Sequence, residues 1–183
     1  MNHSIEEKRQ WEKQAIEVFI DWFRTSGHLP LSFVSQNLPS KPDVTCMLGD
    51  EKVDIELAHL YGSQQDAIRI LGKSVTNKMI DELEQMERQP SVEQRILHAL
   101  NRILENKSHK HYDSENTWLV IRNAFPNWQC ADFLHHLSRV CVPAHHPFKR
   151  IWLIGDLRAE SGAIKLYPKH PEYIVSQARR DLP

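Results

Sequence analysis

The chain has 183 residues and a formal net charge of −1. That length suits one domain with its own core, and 40% hydrophobic with 26% charged residues excludes wholesale disorder. The near-neutral total argues against a generic basic coat for nucleic acid. The charge is uneven, however, because residues 1–90 carry 15 acids and 10 bases, whereas residues 91–183 carry 9 acids and 13 bases. This asymmetry is compatible with a metal site beside an anion-binding surface, and equally with chance.

The cysteine content and the lack of a long apolar run bear on the cellular location of the protein. The three cysteines, Cys46, Cys130 and Cys141, are odd in number and widely spaced, so no disulfide framework is expected. The N-terminus lacks the apolar core of a signal peptide, and no apolar run approaches the length of a membrane span. We therefore expect a cytoplasmic protein with no membrane contact.

The first third of the chain predicts a helix followed by three strands. Apolar residues at helical spacing predict a helix over Ile5–Thr25, and Leu31–Val34 predicts a short strand. Two further strands, Asp43–Leu48 and Glu51–Leu60, are joined by a Gly49-Asp50 turn and therefore predict a hairpin.

The rest of the chain adds helices and a second group of strands. Helices are expected at Ala67–Arg88, Ser91–Lys107, Cys130–Val140 and around Glu172–Arg179. Strands are expected at Thr117–Arg122, Arg150–Leu157 and Ile164–Tyr167. This order predicts an α/β or α+β fold with a mixed central sheet flanked by helices. We expect a single domain over 1–183, with a core at about 5–158 and an edge strand and tail over 159–183.

The predicted hairpin carries the candidate chemistry. Alternation along its strands places Asp43 opposite Glu56 and Thr45 opposite Asp54, so three carboxylates share one face. Because like charges repel, a divalent cation would offset the cost, and oxygen ligands suit Mg²⁺ or Mn²⁺. The competing interpretation is a solvated acidic face, which is less favoured for a hairpin that enters a buried sheet.

A family resemblance follows from this segment. Pro42-Asp43, followed after ten residues by Asp54-Ile55-Glu56, resembles the motif of the PD-(D/E)XK nuclease superfamily. Its restriction-endonuclease-like core consists of a helix, a three-stranded meander, a helix and a strand, an order that the prediction matches over about 5–155. The resemblance implies a nuclease that depends on Mg²⁺ or Mn²⁺, with Asp43, Asp54 and Glu56 as catalytic metal ligands. It also implies a nucleic-acid partner, DNA rather than RNA, and permits a homodimer or a larger complex.

The chain departs from the family pattern at Glu56, where the motif has a lysine. Some members carry glutamate there, and in others the lysine has moved to the following helix. Lys107 is then the catalytic candidate because it extends the apolar stripe of its predicted helix, although a snorkelling helix end stays open. Lys73 and Lys78 are weaker candidates. Glu12 on the first helix is a further possible site acid, with a solvated position as the favoured alternative.

Four residues are candidates for nucleic-acid binding. Lys110 and Tyr112 follow Lys107 and resemble the strand-contacting segment of some superfamily members. Arg122 and Arg150 flank the predicted central strands, where cations can hold backbone phosphates. Bases also collect at the ends of helices and strands in proteins that bind no nucleic acid, so this pattern only supports the motif.

Six cysteine and histidine residues crowd into seventeen positions: Cys130, His135, His136, Cys141, His145 and His146. Their spacing matches no familiar zinc finger, so exposed imidazoles and a core Cys141 are favoured over a zinc site. Two other function classes stay open. One is a catalytically inactive binding module on the nuclease fold, such as a subunit of a defence or mobile-element complex. The other is an immunity-type interaction protein whose acidic face binds a basic partner.

Overall fold

The structure, a computed structural model, describes residues 3–38, 40–63, 65, 67–68, 75–88 and 91–169. Within these ranges the helices are α1 (His3–Thr25), α2 (Asn77–Glu87), α3 (Val92–Ser108) and α4 (Cys130–His135), with a 3-10 turn at Leu137–Arg139. The strands are β1 (Leu31–Gln36), β2 (Val44–Leu48), β3 (Glu51–Leu60), β4 (Thr117–Asn123), β5 (Phe148–Ile154) and β6 (Ala163–Tyr167). In the same ranges, no helix is long and apolar enough to cross a membrane.

All six strands form one mixed sheet, and their order across the sheet is their order along the chain. β1, β2 and β3 form an antiparallel meander, β3, β4 and β5 are parallel, and β6 returns antiparallel to β5. Parallel neighbours need long crossovers, which α2 with α3 and then α4 provide. The predicted class, a mixed sheet with flanking helices, is confirmed. The restriction-endonuclease-like core remains a prediction.

Helices cover both faces of the sheet because its central strands are apolar on both sides. Side chains alternate along β4, so Trp118 and Val120 pack with the α1 layer, whereas Leu119 and Ile121 pack with the α3 layer. The α1 layer buries Ala15, Ile16, Phe19, Trp22 and Phe23 of the first helix. The α3 layer buries Ile96, Leu97, Leu100 and Leu104, and Ser91 caps α3 by accepting a hydrogen bond from the Gln94 backbone N–H.

Two predicted helices differ from those observed. The helix expected over Ala67–Arg88 is seen as α2, and Val75 and Thr76 before it are not helical. The helix expected over Cys130–Val140 ends at His135, because tighter hydrogen bonds turn the chain and bring Val140 into the core. The helix expected around Glu172–Arg179 lies outside the described residues.

Two further expectations in the second half were wrong in detail. β5 ends at Ile154 rather than Leu157, because the Asp156 carboxylate accepts hydrogen bonds from the backbone of the following residues and closes a loop. Cys141 is exposed rather than part of the core, although Val140 beside it is buried. The chain has left the regular helix at this point, so neighbouring positions no longer follow a helical stripe.

Candidate functional site

The β2–β3 hairpin has the predicted register at Thr45 and Asp54, whereas Asp43, expected opposite Glu56, lies before the first strand pair. Thr45 pairs with Asp54 and Val44 with Ile55, around a turn in which Gly49 has a φ of 60°. One face packs into the α1 layer, and the other carries Asp54 and Glu56, which are only 4% and 7% exposed. The solvated-face alternative is therefore wrong for both carboxylates.

Asp43 lies just before β2 at the end of the hairpin where α1 and α3 approach the sheet. Its Oδ2 atom accepts a hydrogen bond of 2.8 Å from the backbone N–H of Leu57. Burial, together with the nearby carboxylates of Glu56 and Glu12, raises the pKa of Asp43 to about 7. The hydrogen bond from Leu57 and the charge of Lys107 act in the opposite direction but do not compensate. The carboxylates around Asp43 therefore have too little positive charge beside them.

Glu56 has one cationic partner, which comes from the last turn of α3. The Lys107 Nζ atom lies 2.5 Å from Glu56 Oε1 and 3.4 Å from the carbonyl oxygen of Leu57. The side chains of Glu56 and Lys107 are 9% and 22% exposed, so the pair is largely shielded from water. Tyr112 also lies close to Glu56, and burial together with the negative charge of Glu56 raises the pKa of its hydroxyl. Lys107 thus lies inside the site and not at a solvated helix end.

Asp54 has its own set of partners. Its carboxylate accepts a hydrogen bond of 2.6 Å from Thr45 Oγ1 and lies 2.9 Å from Lys52 Nζ. Burial opposes ionisation of Asp54, yet hydrogen bonds from Thr45, Lys52 and Ser114 hold its pKa below the ordinary value. The carboxylate is thus ionised and fully engaged without a metal.

The first helix brings Glu12 and Lys8 to the same site. The Glu12 side chain is 12% exposed and forms an ion pair of 3.2 Å with Lys8 one turn earlier. Burial lowers the pKa of Lys8, but Glu12, Asp43 and Glu56 together raise it above the ordinary value. The favoured interpretation of Glu12 as a solvated acid is therefore wrong. We name Lys8, Glu12, Asp43, Glu56 and Lys107 the carboxylate–lysine cluster.

The four candidates for nucleic-acid contact are placed very differently. Tyr112 lies against the cluster beside Glu56, and Lys110 is exposed just after α3. Arg150 stacks over the ring of Trp118, with 4.5 Å between its guanidinium carbon and the ring centre. Arg122 is 5% exposed, and its guanidinium donates to the carbonyl oxygen of Leu157. The expectation of a phosphate contact does not fit Arg122, because its guanidinium is almost fully buried and is engaged by the backbone of Leu157.

The other candidates do not join the site. Cys130 is buried at the start of α4 whereas Cys141 is exposed. Over the part of the chain that the structure describes, no three histidine, cysteine, aspartate or glutamate side chains form a group that could hold a metal ion. Lys78 is on α2, outside the cluster, and Lys73 lies outside the described residues.

The residues can be compared with the divalent cation that the resemblance implies. Asp43 and Glu56 offer only oxygen donors, which Mg²⁺ prefers, and the raised pKa of Asp43 indicates missing positive charge. Mg²⁺ commonly binds one or two carboxylates and keeps several waters, so a three-residue group is not required. Asp43 and Glu56 have the donor chemistry for a cation of this kind, and Glu56 would bind it through the oxygen that Lys107 does not contact. Asp54 does not fit as placed, because both Thr45 and Lys52 engage it.

Sequence reasoning did not identify Lys52 as the partner of Asp54 or Lys8 as the partner of Glu12. Lys52 lies on the same hairpin face as Asp54, and Lys8 lies one helical turn before Glu12, so both spacings were visible. Their pairing depends on which carboxylates are buried, and that information comes from packing. No protein-family model matches the chain, and no curated protein or solved structure resembles it significantly.

Proposed function

We propose that the protein hydrolyses phosphodiester bonds of nucleic acid with the help of Mg²⁺ or Mn²⁺. The observation that carries the proposal is the carboxylate–lysine cluster, in which Glu12, Glu56 and Lys107 are largely shielded from water. Burial, together with the charges of Glu56 and Glu12, raises the pKa of Asp43, so a cation would stabilise its ionised form, and Lys107 supplies a positive charge at Glu56. Carboxylates for a metal and a lysine for a phosphate are the groups that such hydrolysis requires.

The proposed roles follow from these contacts. A bound cation would lower the pKa of a coordinated water and offset negative charge on the phosphate. Asp43 and Glu56 would hold it, and Lys107 would donate to a phosphate oxygen while remaining beside Glu56. Asp54 is the third candidate ligand, whose contacts with Thr45 and Lys52 must give way before it binds metal.

Nucleic acid is the proposed partner, with DNA favoured over RNA. Lys110 and Tyr112 lie directly after the helix that delivers Lys107, so a strand bound in the site would pass them. Arg150 is on β5, where its position over Trp118 leaves it only partly exposed, and we assign it a supporting role. A homodimer or a larger complex and a cytoplasmic location remain part of the proposal.

A non-catalytic binding module is the second candidate, and one observation favours it. Lys107 already neutralises Glu56 without a metal, as expected for a nuclease fold that has lost its cation. An immunity-type protein with an acidic docking face is less well supported, because Asp54 and Glu56 are almost fully buried.

The test compares cleavage of supercoiled plasmid, single-stranded DNA and RNA in Mg²⁺ or Mn²⁺ by the wild type and its variants. We expect Asp43→Asn and Lys107→Met each to lower the rate about 100-fold. Asp50→Asn, at the exposed hairpin turn, is the matched control and should leave the rate unchanged. Binding of these substrates without cleavage in either metal would contradict the hydrolase and favour the binding module.

A further inference from the structure

A cavity of about 480 Å³ opens beside the carboxylate–lysine cluster, between α1, β3, α2 and α3. Its volume is in the range of about 300–1,000 Å³ that small-molecule sites occupy. Lys8, Glu12 and Lys107 form one part of its wall, so it adjoins the proposed reaction centre. A second space of about 140 Å³ extends it along α3 and shares His59, Tyr61, Met79, Ile103 and Asn106 with it.

The lining suits a flat, mostly apolar ligand with polar edges. Away from the lysines the wall is formed by aliphatic and aromatic side chains, with the amide of Asn106 among them. The rings of His59 and Tyr61 are nearly parallel, with 18° between their planes and 6.1 Å between their centres. Aromatic walls of this kind are common platforms for nucleobases, whose faces stack on them whatever the sequence.

One polar atom in this wall lacks a partner. The Nε2 atom of His59 is buried and has no hydrogen-bond partner among the described residues. A buried polar atom left unpaired is costly, so a ligand that pairs with it would be favoured. Burial, with Arg122 and Lys107 nearby, lowers the pKa of His59 to about 3. The ring is therefore neutral at pH 7 and offers one donor and one acceptor, as the edge of a base requires.

We propose that this cavity captures one unpaired nucleobase of the substrate strand, next to the proposed reaction centre. The inference rests on the proposed function and adds its substrate class. A base inside a duplex is stacked and paired, so it can enter such a cavity only after it is flipped out at a cost. The preferred substrate is then a single strand or an unpaired nucleotide.

The experiment measures binding without any divalent cation, so that no cleavage occurs. Short oligonucleotides of DNA and of RNA carry one 2-aminopurine, whose fluorescence changes when it stacks, and are offered single-stranded or as the matching duplex. We expect the wild type to bind a single strand about tenfold more tightly than the duplex and to change the 2-aminopurine signal.

Two variants and one control separate the cavity from the protein surface. Ile103→Trp fills the cavity and should abolish the single-strand preference. His59→Phe keeps an aromatic ring but removes Nε2, and should weaken single-strand binding severalfold even if Ile103→Trp does not fold. His145→Ala changes an exposed histidine outside the cavity and should bind like the wild type.

Equal affinity for single strand and duplex, in DNA and in RNA, would overturn the inference. So would a single-strand preference that survives unchanged in folded His59→Phe. Failure of the proposed function is distinguishable, because base capture without cleavage in Mg²⁺ or Mn²⁺ would contradict the hydrolase alone. Cleavage without base capture would overturn this inference alone.

Discussion

Asp43, just before β2, and Asp54, on β3, come from the same hairpin, yet their surroundings shift their pKa values in opposite directions. Asp54 receives hydrogen bonds from Thr45 and an ion pair from Lys52, and its pKa is lowered. Asp43 receives one backbone hydrogen bond and faces the carboxylates of Glu56 and Glu12, and its pKa is raised. The comparison teaches that one end of the acidic face is already compensated by the protein, whereas the other end has room for added positive charge.

The largest expected effect comes from removing Lys107, the lysine that forms the ion pair with Glu56. Lys107→Met leaves Glu56 buried without its partner, and we expect the free energy of unfolding to fall by about 2–4 kcal/mol. Urea denaturation at pH 7 measures this. Lys110→Met, in the exposed segment after α3, is the matched control and should change the free energy little. Equal small losses in both variants would show that Glu56 is solvated.

The second effect is a gain in stability when the buried charge of Asp43 is removed. Because the pKa of Asp43 is about 7 in the folded protein, above its value in the unfolded chain, the native state holds an extra proton in mildly acidic solution. The metal-free wild type should therefore lose stability as the pH rises from about 4 to 7. Asp43→Asn should remove this slope and raise the free energy of unfolding at pH 8 by on the order of 2 kcal/mol.

Thermal and urea denaturation of the metal-free protein between pH 5 and pH 8, in EDTA, check the prediction for Asp43. Mg²⁺ should then stabilise the wild type at pH 8 and leave Asp43→Asn unaffected, because a ligand that binds only the folded state raises its stability. A wild type whose stability does not depend on pH in this range would contradict the assigned environment of Asp43.

The smallest expected effect concerns Asp54, whose charge the protein already compensates. Asp54→Asn loses the ionic contact with Lys52 and should lower the free energy of unfolding at pH 7 by about 1–2 kcal/mol. Since the pKa of Asp54 is lowered by folding, this contribution is present above the ordinary carboxyl pKa and disappears as the pH falls through the folded value. Asp50→Asn at the turn serves as the control, and stabilisation by Asp54→Asn at pH 7 would refute the comparison.

The hairpin could be predicted because its causes are local. Strict alternation and a Gly-Asp turn fix the register, and the register alone sets Thr45 opposite Asp54. Lys107 could be proposed from the apolar stripe of its helix, because a residue one turn beyond a buried stripe stays on the buried side.

The remaining features depend on contacts between distant segments. Arg122 resembles any basic residue at a strand end until the loop at Leu157 is seen to accept its guanidinium. Glu12 is similar to the other acids of α1, and only the approach of that helix to Asp43 makes it part of the cluster. Local sequence carries no signal for either arrangement, since both are decided by how the layers stack.

The sheet order, identical to the chain order, has a consequence for how the protein is made. The chain is synthesised from its N-terminus, so each strand after β1 finds a neighbouring strand already present when it leaves the ribosome. Every residue of the carboxylate–lysine cluster precedes β4, so the cluster's parts are all synthesised before the last three strands. Those strands are therefore added last, next to a site whose residues have already been synthesised.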